Sequence, residues 1–316
     1  MTTTDTRTLA LGTMSYGTRV EAPTAFALLD RYVERGGRWL DTADNYACWL
    51  SPSGRGGTSE ATLGAWFRAH PGVRDQVRIS TKLGADPVTP GVWPASWEGL
   101  SPTAIDRAIG HSLDRLGTDH VDLLWAHVED RAVDLAAQVS ALGALVSSGR
   151  AGRIGASNHA TWRVERARTL ARTAAVPSFT ALQLRHTYLQ PIPFAPLPDT
   201  GHVVASPEAL DYAATEGLDL WSYTTLLGGA FTHPDRLQDA YRHPDTERRL
   251  ATLARVAQRY GATSNQVVLA WLLDGSPRVT PIIGPSTLAQ LDEAMDARDL
   301  HLDEDARAEL DDGGTA

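Results

Sequence analysis

Short runs rich in β-branched and aromatic residues alternate along this chain with longer stretches whose apolar positions recur at three- and four-residue spacing. Side chains repeat their facing every second residue in a strand and about every 3.6 residues in a helix, so the short runs read as strands and the long ones as amphipathic helices. The pattern predicts strands over 8–14, 38–43, 77–83, 121–128, 153–157, 179–185, 218–224 and 279–284. It predicts helices over 23–35, 58–69, 102–116, 134–149, 160–174, 207–216, 245–260, 264–273, 286–296 and 303–311. Ser101 before Pro102 and Ser206 before Pro207 read as helix starts, because a serine oxygen can accept an unpaired first-turn N–H and proline is preset for the first helical position.

Strand and helix alternate through eight units with no Pro/Gly/Ser linker between them. That order predicts an α/β protein, a (β/α)8 TIM barrel with long active-site loops, occupying 1–316 as a single domain. An open doubly wound sheet is the alternative, but the first strand-to-helix turn, "LGTMSYGT", lacks the G-x-G-x-x-G of a dinucleotide-binding fold. Two connections, 84–100 and 186–206, exceed ordinary loop length, and their aromatic residues favour lids over disorder.

Composition narrows the function classes. The chain carries 38 acidic and 29 basic residues, a formal charge of -9, with no Lys/Arg run to follow a phosphate backbone, so nucleic acid is not an expected partner. No apolar run approaches the ~20 residues that span a bilayer, and "MTTTDTRTLALG" lacks the apolar core of a secretion signal, so no membrane association and a cytoplasmic location are expected. The lone cysteine, Cys48, cannot form an intramolecular disulfide. No H-E-x-x-H or facial triad is present, and Glu129 and Asp130 after His127 read as loop polar groups, so no metal is expected. The segment "SGRGG" (53–57) lacks the G-K-[ST] of a phosphate loop and reads as a connector. The acidic tail "DLHLDEDARAELDDGG" reads as a solvated helix face. Oligomeric state is left open.

A closed barrel gathers the C-terminal ends of its strands around one mouth. Strand 2 delivers Asp41 with Tyr46 just beyond, strand 3 delivers Lys82 and strand 4 delivers His127. A phenol is a weak acid with a pKa near ~10, and an adjacent ammonium is expected to lower it; a carboxylate would keep that ammonium charged. His127 would hydrogen-bond the oxygen that Tyr46 protonates, a set suited to protonating a carbonyl oxygen while its carbon is attacked. Asp44 and Asn45 read as turn formers, and His159 and His186 as structural, His159 capping the helix that follows. Trp49, Trp93, Trp97 and Trp125 flank these positions, and at least two of them are expected to line a substrate pocket.

The chain resembles the aldo-keto reductase family. "LDTADNY", "GTSEATLG", "STKLG" and "DHVDLLWAH" are similar to the family's Asp–Tyr strand, second-helix opening, Lys strand and His strand. "GRIGASNH", "LQLRHTYL", "WSYTTLLGGAF", "NQVVLAWLL" and "TPIIGPSTLAQLDEA" continue the likeness in the family's order over essentially the whole chain. The resemblance implies reduction of an aldehyde or ketone with NADPH held across the barrel mouth. It implies that Ser157, Asn158 and Gln183 hold the carboxamide, that Tyr223 stacks on the nicotinamide, and that the backbone of 224–229, with Thr224, Leu226 and Gly228, lies along the pyrophosphate. Two departures stand out. "YTT" replaces the family's frequent "YSP". Gly284, Pro285, Ser286 and Thr287 occupy the stretch where NADPH-specific members place Lys or Arg, and Ala294 stands where an adenine-contacting Asn is common, although Gln290 and Glu293 are present. A phosphate there meets hydroxyls and N–H groups without a cation, so NADPH is the expected cofactor with NADH also open.

Two other readings use the same residues: a lyase in which Lys82 forms a Schiff base, as aldolases on this architecture do, and a nucleotide-sensing regulatory subunit with slow turnover. The tryptophans suit a hydrophobic or sugar-ring face, and the substrate itself is not legible.

Overall fold

The computed structural model describes residues 7–197 and 201–313. The stretch 1–6 bearing on secretion, the centre of the 186–206 connection and the end of the acidic tail lie outside the described residues. Eight parallel strands close a barrel in chain order: β1 (Ala10–Gly12), β2 (Trp39–Asp41), β3 (Arg78–Leu83), β4 (Val121–Ala126), β5 (Ala151–Ser157), β6 (Phe179–Arg185), β7 (Asp219–Tyr223) and β8 (Val279–Ile283). Closure comes from β8 beside β1, with Ala10 opposite Ile282 and Leu11 opposite Ile283. A closed parallel sheet pairs its backbone N–H and C=O groups without leaving an edge.

Helices α1 (Ala22–Glu34), α2 (Thr58–Ala69), α3 (Pro102–Leu116), α4 (Leu135–Ser147), α5 (Thr161–Ala174) and α6 (Pro207–Thr215) each follow one strand. Two helices, α7 (Pro244–Tyr260) and α8 (Ser264–Leu273), lie between β7 and β8, and α9 (Leu288–Asp296) and α10 (Glu304–Asp311) follow β8. The serine starts are as expected: Ser101 Oγ accepts from the Ala104 N–H and Ser206 Oγ from the Ala209 N–H. His159 does not cap α5; its Nδ1 pairs with the Ser157 carbonyl at 2.8 Å, and Ala160 holds the cap position. Helix α9 begins at Leu288 and not at 286, because Thr287 accepts from the Gln290 N–H and so becomes its cap.

Two apolar layers hold the fold. The larger lies between strands and helices; the smaller is a separate cluster of Ala10, Trp39, Leu123, Trp125, Ala181 and Trp221, with Ile282 against it. Trp221 meets Trp39 edge-on at 5.1 Å and Trp125 at 5.6 Å, so three indoles plug the barrel. Gly155 makes this packing feasible: a Cβ there would lie 2.4 Å from the Trp125 ring.

Four connections at the C-terminal end of the barrel are long. Besides 84–100 and 186–206, residues 42–57 follow β2, and 224–243 follow β7 as single 3-10 turns at 227–229, 234–236 and 239–241. The last of these was not anticipated from the pattern, since its apolar residues are too irregularly spaced to show either period.

Candidate active site

Strand parity builds the mouth. Side chains two apart share a face, so an inward residue in the indole plug is followed by one nearer the opening. Trp39 is followed by Asp41, Trp125 by His127 and Trp221 by Tyr223; Ser80 and Gly155, which pack against Trp125, are followed by Lys82 and Ser157. The apolar plug therefore lies under a polar ring built from six strands, completed by Gln183 above Ala181.

Lys82 is the centre of that ring. Its Nζ donates to Asp41 Oδ2 at 2.6 Å, to the Thr42 carbonyl at 2.8 Å and to the Tyr46 hydroxyl at 2.7 Å. Asp41 is 0% and Lys82 1% exposed. Asp41 Oδ1 accepts from Ser80 Oγ at 2.6 Å and from Gln183 Nε2 at 3.4 Å, while the Tyr46 hydroxyl lies 3.4 Å from Oδ2. The backbone that presents these groups continues the ladder beyond the strands: Thr42 N–H donates to Ser80 O, Asp44 N–H to Lys82 O and His127 N–H to Leu83 O. Tyr46 and His127 are half-buried, with ring centroids 6.1 Å apart at 75°.

The electrostatics correct one expectation. Burial, and then the Asp41 carboxylate, push the Tyr46 phenol well above its ordinary range, although an ammonium touches its oxygen. The Lys82 charge is already matched by Asp41 in the same contact, so little of it is left to favour a phenolate. Burial lowers Lys82, with Asp41 opposing that shift. Burial first, then Lys82 and His202, lower His127 well below the usual imidazole range, so it is neutral at neutral pH. Its Nδ1 is buried without a hydrogen-bond partner.

On the other side of the mouth, Asn158 takes a left-handed backbone, φ 59°. Its Nδ2 donates to the His127 carbonyl at 3.2 Å and to Ser157 Oγ at 3.1 Å; its Oδ1 accepts from the Tyr223 hydroxyl at 2.6 Å and from the Val203 N–H at 3.1 Å. The His202 ring lies 4.9 Å from that of Tyr223. His202 carries no strand-end or motif signal, and sequence reasoning missed it. After β7, Thr224, Leu227, Gly228 and Gly229 all have positive φ. Gly228 is exposed with open space where a Cβ would stand, so this backbone can approach an anion closely. Leu226 is half-buried against the core, and Arg236 Nη1 reaches the Gly228 carbonyl at 3.3 Å, a nearby cation that sequence reasoning also missed.

Gly284 is exposed and open in the same way. Ser286 donates from N–H and Oγ to Gln290 Oε1 at 2.9 and 3.0 Å, which closes the turn into α9. Glu293 faces α8, accepting from Thr263 Oγ1 at 2.6 Å and Asn265 Nδ2 at 3.4 Å, so its carboxylate is engaged in helix packing. The residues present fit a dinucleotide: an amide-rich end at Ser157, Asn158 and Gln183, an open glycine turn at 228, and a helix start at 287.

The tryptophans divide. Trp49 and Trp93 pack at 5.2 Å and 38°, and Trp97 is 37% exposed. Residues 42–57 and 84–100 form one wall, since Gly91 N–H donates to Gly54 O and Arg55 donates to the carbonyls of Pro87 and Val88, each at 2.9 Å. Trp125 does not belong to this wall. It is fully buried, donates to Ser80 Oγ at 3.3 Å and fills the barrel, because its place two residues before His127 puts its large ring beneath the polar ring.

Among the described residues, no group of three or more His, Cys, Asp or Glu side chains is arranged to hold a metal ion, and no helix is long and apolar enough to cross a membrane. Residues 8–313 match the family described as the aldo/keto reductase family. The chain is 30% identical over 319 residues to norsolorinic acid reductase stcV of Emericella nidulans, covering 96% of this chain and 77% of that one. It is 29% identical over 312 residues to the uncharacterized oxidoreductase YrpG of Bacillus subtilis, covering 96% and 91%. Against 6-dehydroglucose reductase of Agrobacterium fabrum it is 28% identical over 286 residues, covering 90% and 85%.

Proposed function

The chain belongs to the aldo/keto reductase family, and from that premise we propose that it reduces an aldehyde or ketone to an alcohol, with Tyr46 as proton donor and NADPH as preferred cofactor. A nicotinamide cofactor, when bound, supplies the hydride. Ser157, Asn158 and Gln183 hold its carboxamide, Tyr223 packs against its ring, and the backbone of 224–229 meets its pyrophosphate. Gly284, Ser286 and Gln290 form the turn toward its far end, with Glu293 bracing α9 behind it.

The observation that carries the reading is the triple contact of Lys82 Nζ with Asp41, the Thr42 carbonyl and Tyr46. A phenol held above its ordinary pKa stays protonated throughout the neutral range, and an alkoxide forming on the substrate is basic enough to take its proton. Lys82, itself held by Asp41, positions the Tyr46 oxygen and remains a hydrogen-bond donor to it once its proton has left. Neutral His127 offers one N–H to the carbonyl oxygen. The same contacts disfavour a Schiff base, since all three Nζ hydrogens are engaged and the amine is 1% exposed.

Trp49, Trp93 and Trp97 suit a carbonyl substrate carrying a ring, and the relatives named norsolorinic acid reductase and 6-dehydroglucose reductase are named for different substrates. The test is a panel of aryl, alicyclic and sugar carbonyls run with NADPH and with NADH. Oxidation of either cofactor dependent on a carbonyl and lost in Tyr46→Phe supports the reading; cofactor binding without turnover on any carbonyl refutes it.

A further inference from the structure

A cavity of about 370 Å³ lies outside the barrel, bounded by the segment just past β6, by helices α6, α7, α8 and α10, and by the turn from α8 into β8. Its volume falls in the ~300–1,000 Å³ range of small-molecule sites. Strand parity keeps it apart from the mouth. Gln183 faces the barrel interior, so His186 and Tyr188 beyond the strand end fall on the opposite parity, toward the helices. Both meet Trp271 of α8, the His186 ring at 5.8 Å and 42°, the Tyr188 ring edge-on at 5.6 Å. Thr187 between them turns the other way, donating from Oγ1 to the Thr225 carbonyl at 2.6 Å.

The cavity wall joins flat apolar surface to one unspent cation. Trp271 Nε1 donates to Asp311 Oδ1 at 2.6 Å, which fixes the indole, yet the residue is only half-buried, so part of its surface is left uncovered. His186 is 6% exposed and its Nδ1 is buried without a hydrogen-bond partner. Burial lowers the His186 imidazole to about 4, so at neutral pH it adds a ring and no charge. Arg249 is committed: Nε donates to Asp245 Oδ2 at 3.0 Å, and the guanidinium lies 5.5 Å from the centre of the Tyr188 ring. Arg307 is not committed. It is half-buried, and among the described residues its one hydrogen bond runs from Nη1 to the Trp271 carbonyl at 3.3 Å, with no ion pair. Most donors of its guanidinium fork are therefore unspent beside the indole.

We propose that this cavity is a second ligand site, separate from the barrel mouth, for a planar aromatic molecule that bears a carboxylate. The ring packs against Trp271, Tyr188 and His186, where flat aromatic faces and edges meet it, and Leu210 and Val279 complete the apolar lining. Arg307 holds the carboxylate, because a guanidinium fork matches a carboxylate in geometry as well as in charge. Ser276 and Asp311 are exposed at the rim and leave a way in. The inference stands apart from the reductase reading, and its test needs no turnover.

Calorimetric titration of the full chain with 2-naphthoate, and with the uncharged 2-naphthamide, provides that test. 2-Naphthoate should bind with Kd below about 1 mM, and 2-naphthamide at least about tenfold more weakly. Arg307→Gln removes the charge from a half-buried helix position, and Leu210→Trp fills the cavity; each should weaken 2-naphthoate at least about tenfold. Trp49→Ala, in the wall of the mouth, should leave Kd within about twofold of wild type. Melting curves establish that each variant is folded, and should Leu210→Trp fail to fold, Arg307→Gln and the amide decide the matter. No binding of 2-naphthoate at millimolar concentration, equal affinity for acid and amide, or an unchanged Kd in Arg307→Gln would overturn the proposal. So would binding that is lost in Trp49→Ala and kept in Arg307→Gln, which would put the ligand in the mouth.

Discussion

Replacing Lys82 with Met removes an ammonium from a site where its carboxylate partner has no access to water. Asp41 is 0% exposed and would keep only the Ser80 hydroxyl at 2.6 Å and the weaker contacts at 3.4 Å from Gln183 and Tyr46. Two routes are open to the variant. If Asp41 stays ionised, an unpaired charge is buried, and breaking one partner of a buried pair costs about 3–5 kcal/mol. If it takes up a proton at pH 7, an ordinary carboxyl with pKa near 3.9 must be protonated about 3.1 pH units above that value, which at 1.36 kcal/mol per unit costs about 4 kcal/mol. Both routes give the same magnitude, so Lys82→Met is expected to lose about 4 kcal/mol of unfolding free energy at neutral pH. In the double variant Asp41→Asn, Lys82→Met, no charge is left to strand, and most of that loss should return. Urea denaturation of the wild type, both single variants and the double variant provides the cycle. A loss below about 1 kcal/mol in Lys82→Met, or no recovery in the double variant, would show that this contact is not where the charge of Asp41 is balanced.

Tyr46→Phe keeps the ring and removes the proton donor, so kcat/KM for carbonyl reduction should fall by about 10²–10⁴ while cofactor affinity, read by quenching of intrinsic fluorescence, changes little; retention of most of kcat would assign the acid elsewhere. Because Gly284–Thr287 carries no cation, NADPH should be favoured over NADH by less than about a hundredfold in kcat/KM, or about 2.7 kcal/mol, and a larger ratio would point to a cationic clamp from another segment. Trp93→Ala should raise KM for bulky carbonyls more than Trp97→Ala does, since Trp93 packs on Trp49 whereas Trp97 is 37% exposed, with little change in cofactor affinity and with folding intact. Equal KM values for small and bulky substrates in both variants would make these indoles anchors of the wall and move the substrate pocket toward the 186–206 connection.

Much of the architecture was legible in the chain because its signals are local. Period-two runs bounded by turns mark strands, serine before proline marks helix starts, and eight repeats of the unit leave few ways to bury every face except a closed barrel. Asp41, Lys82 and His127 were legible for the same reason: each stands two residues past an inward core position on its strand, and Tyr46 follows a fixed five residues after Asp41. What depth and contact decide was not legible. Trp125 has the inward parity of His127 but lies one step deeper, where three indoles and Gly155 close the barrel, and a period of two says nothing of depth. The direction of the Tyr46 shift depends first on its burial and then on the Asp41 carboxylate, which offsets Lys82 in one contact, a balance set by distances of 2.6–3.4 Å between groups from different parts of the chain. His202 acquires a role only because its connection returns beside Tyr223. Local pattern chooses the elements and which face they bury; the charge state of a buried group is chosen by what the folded chain places around it.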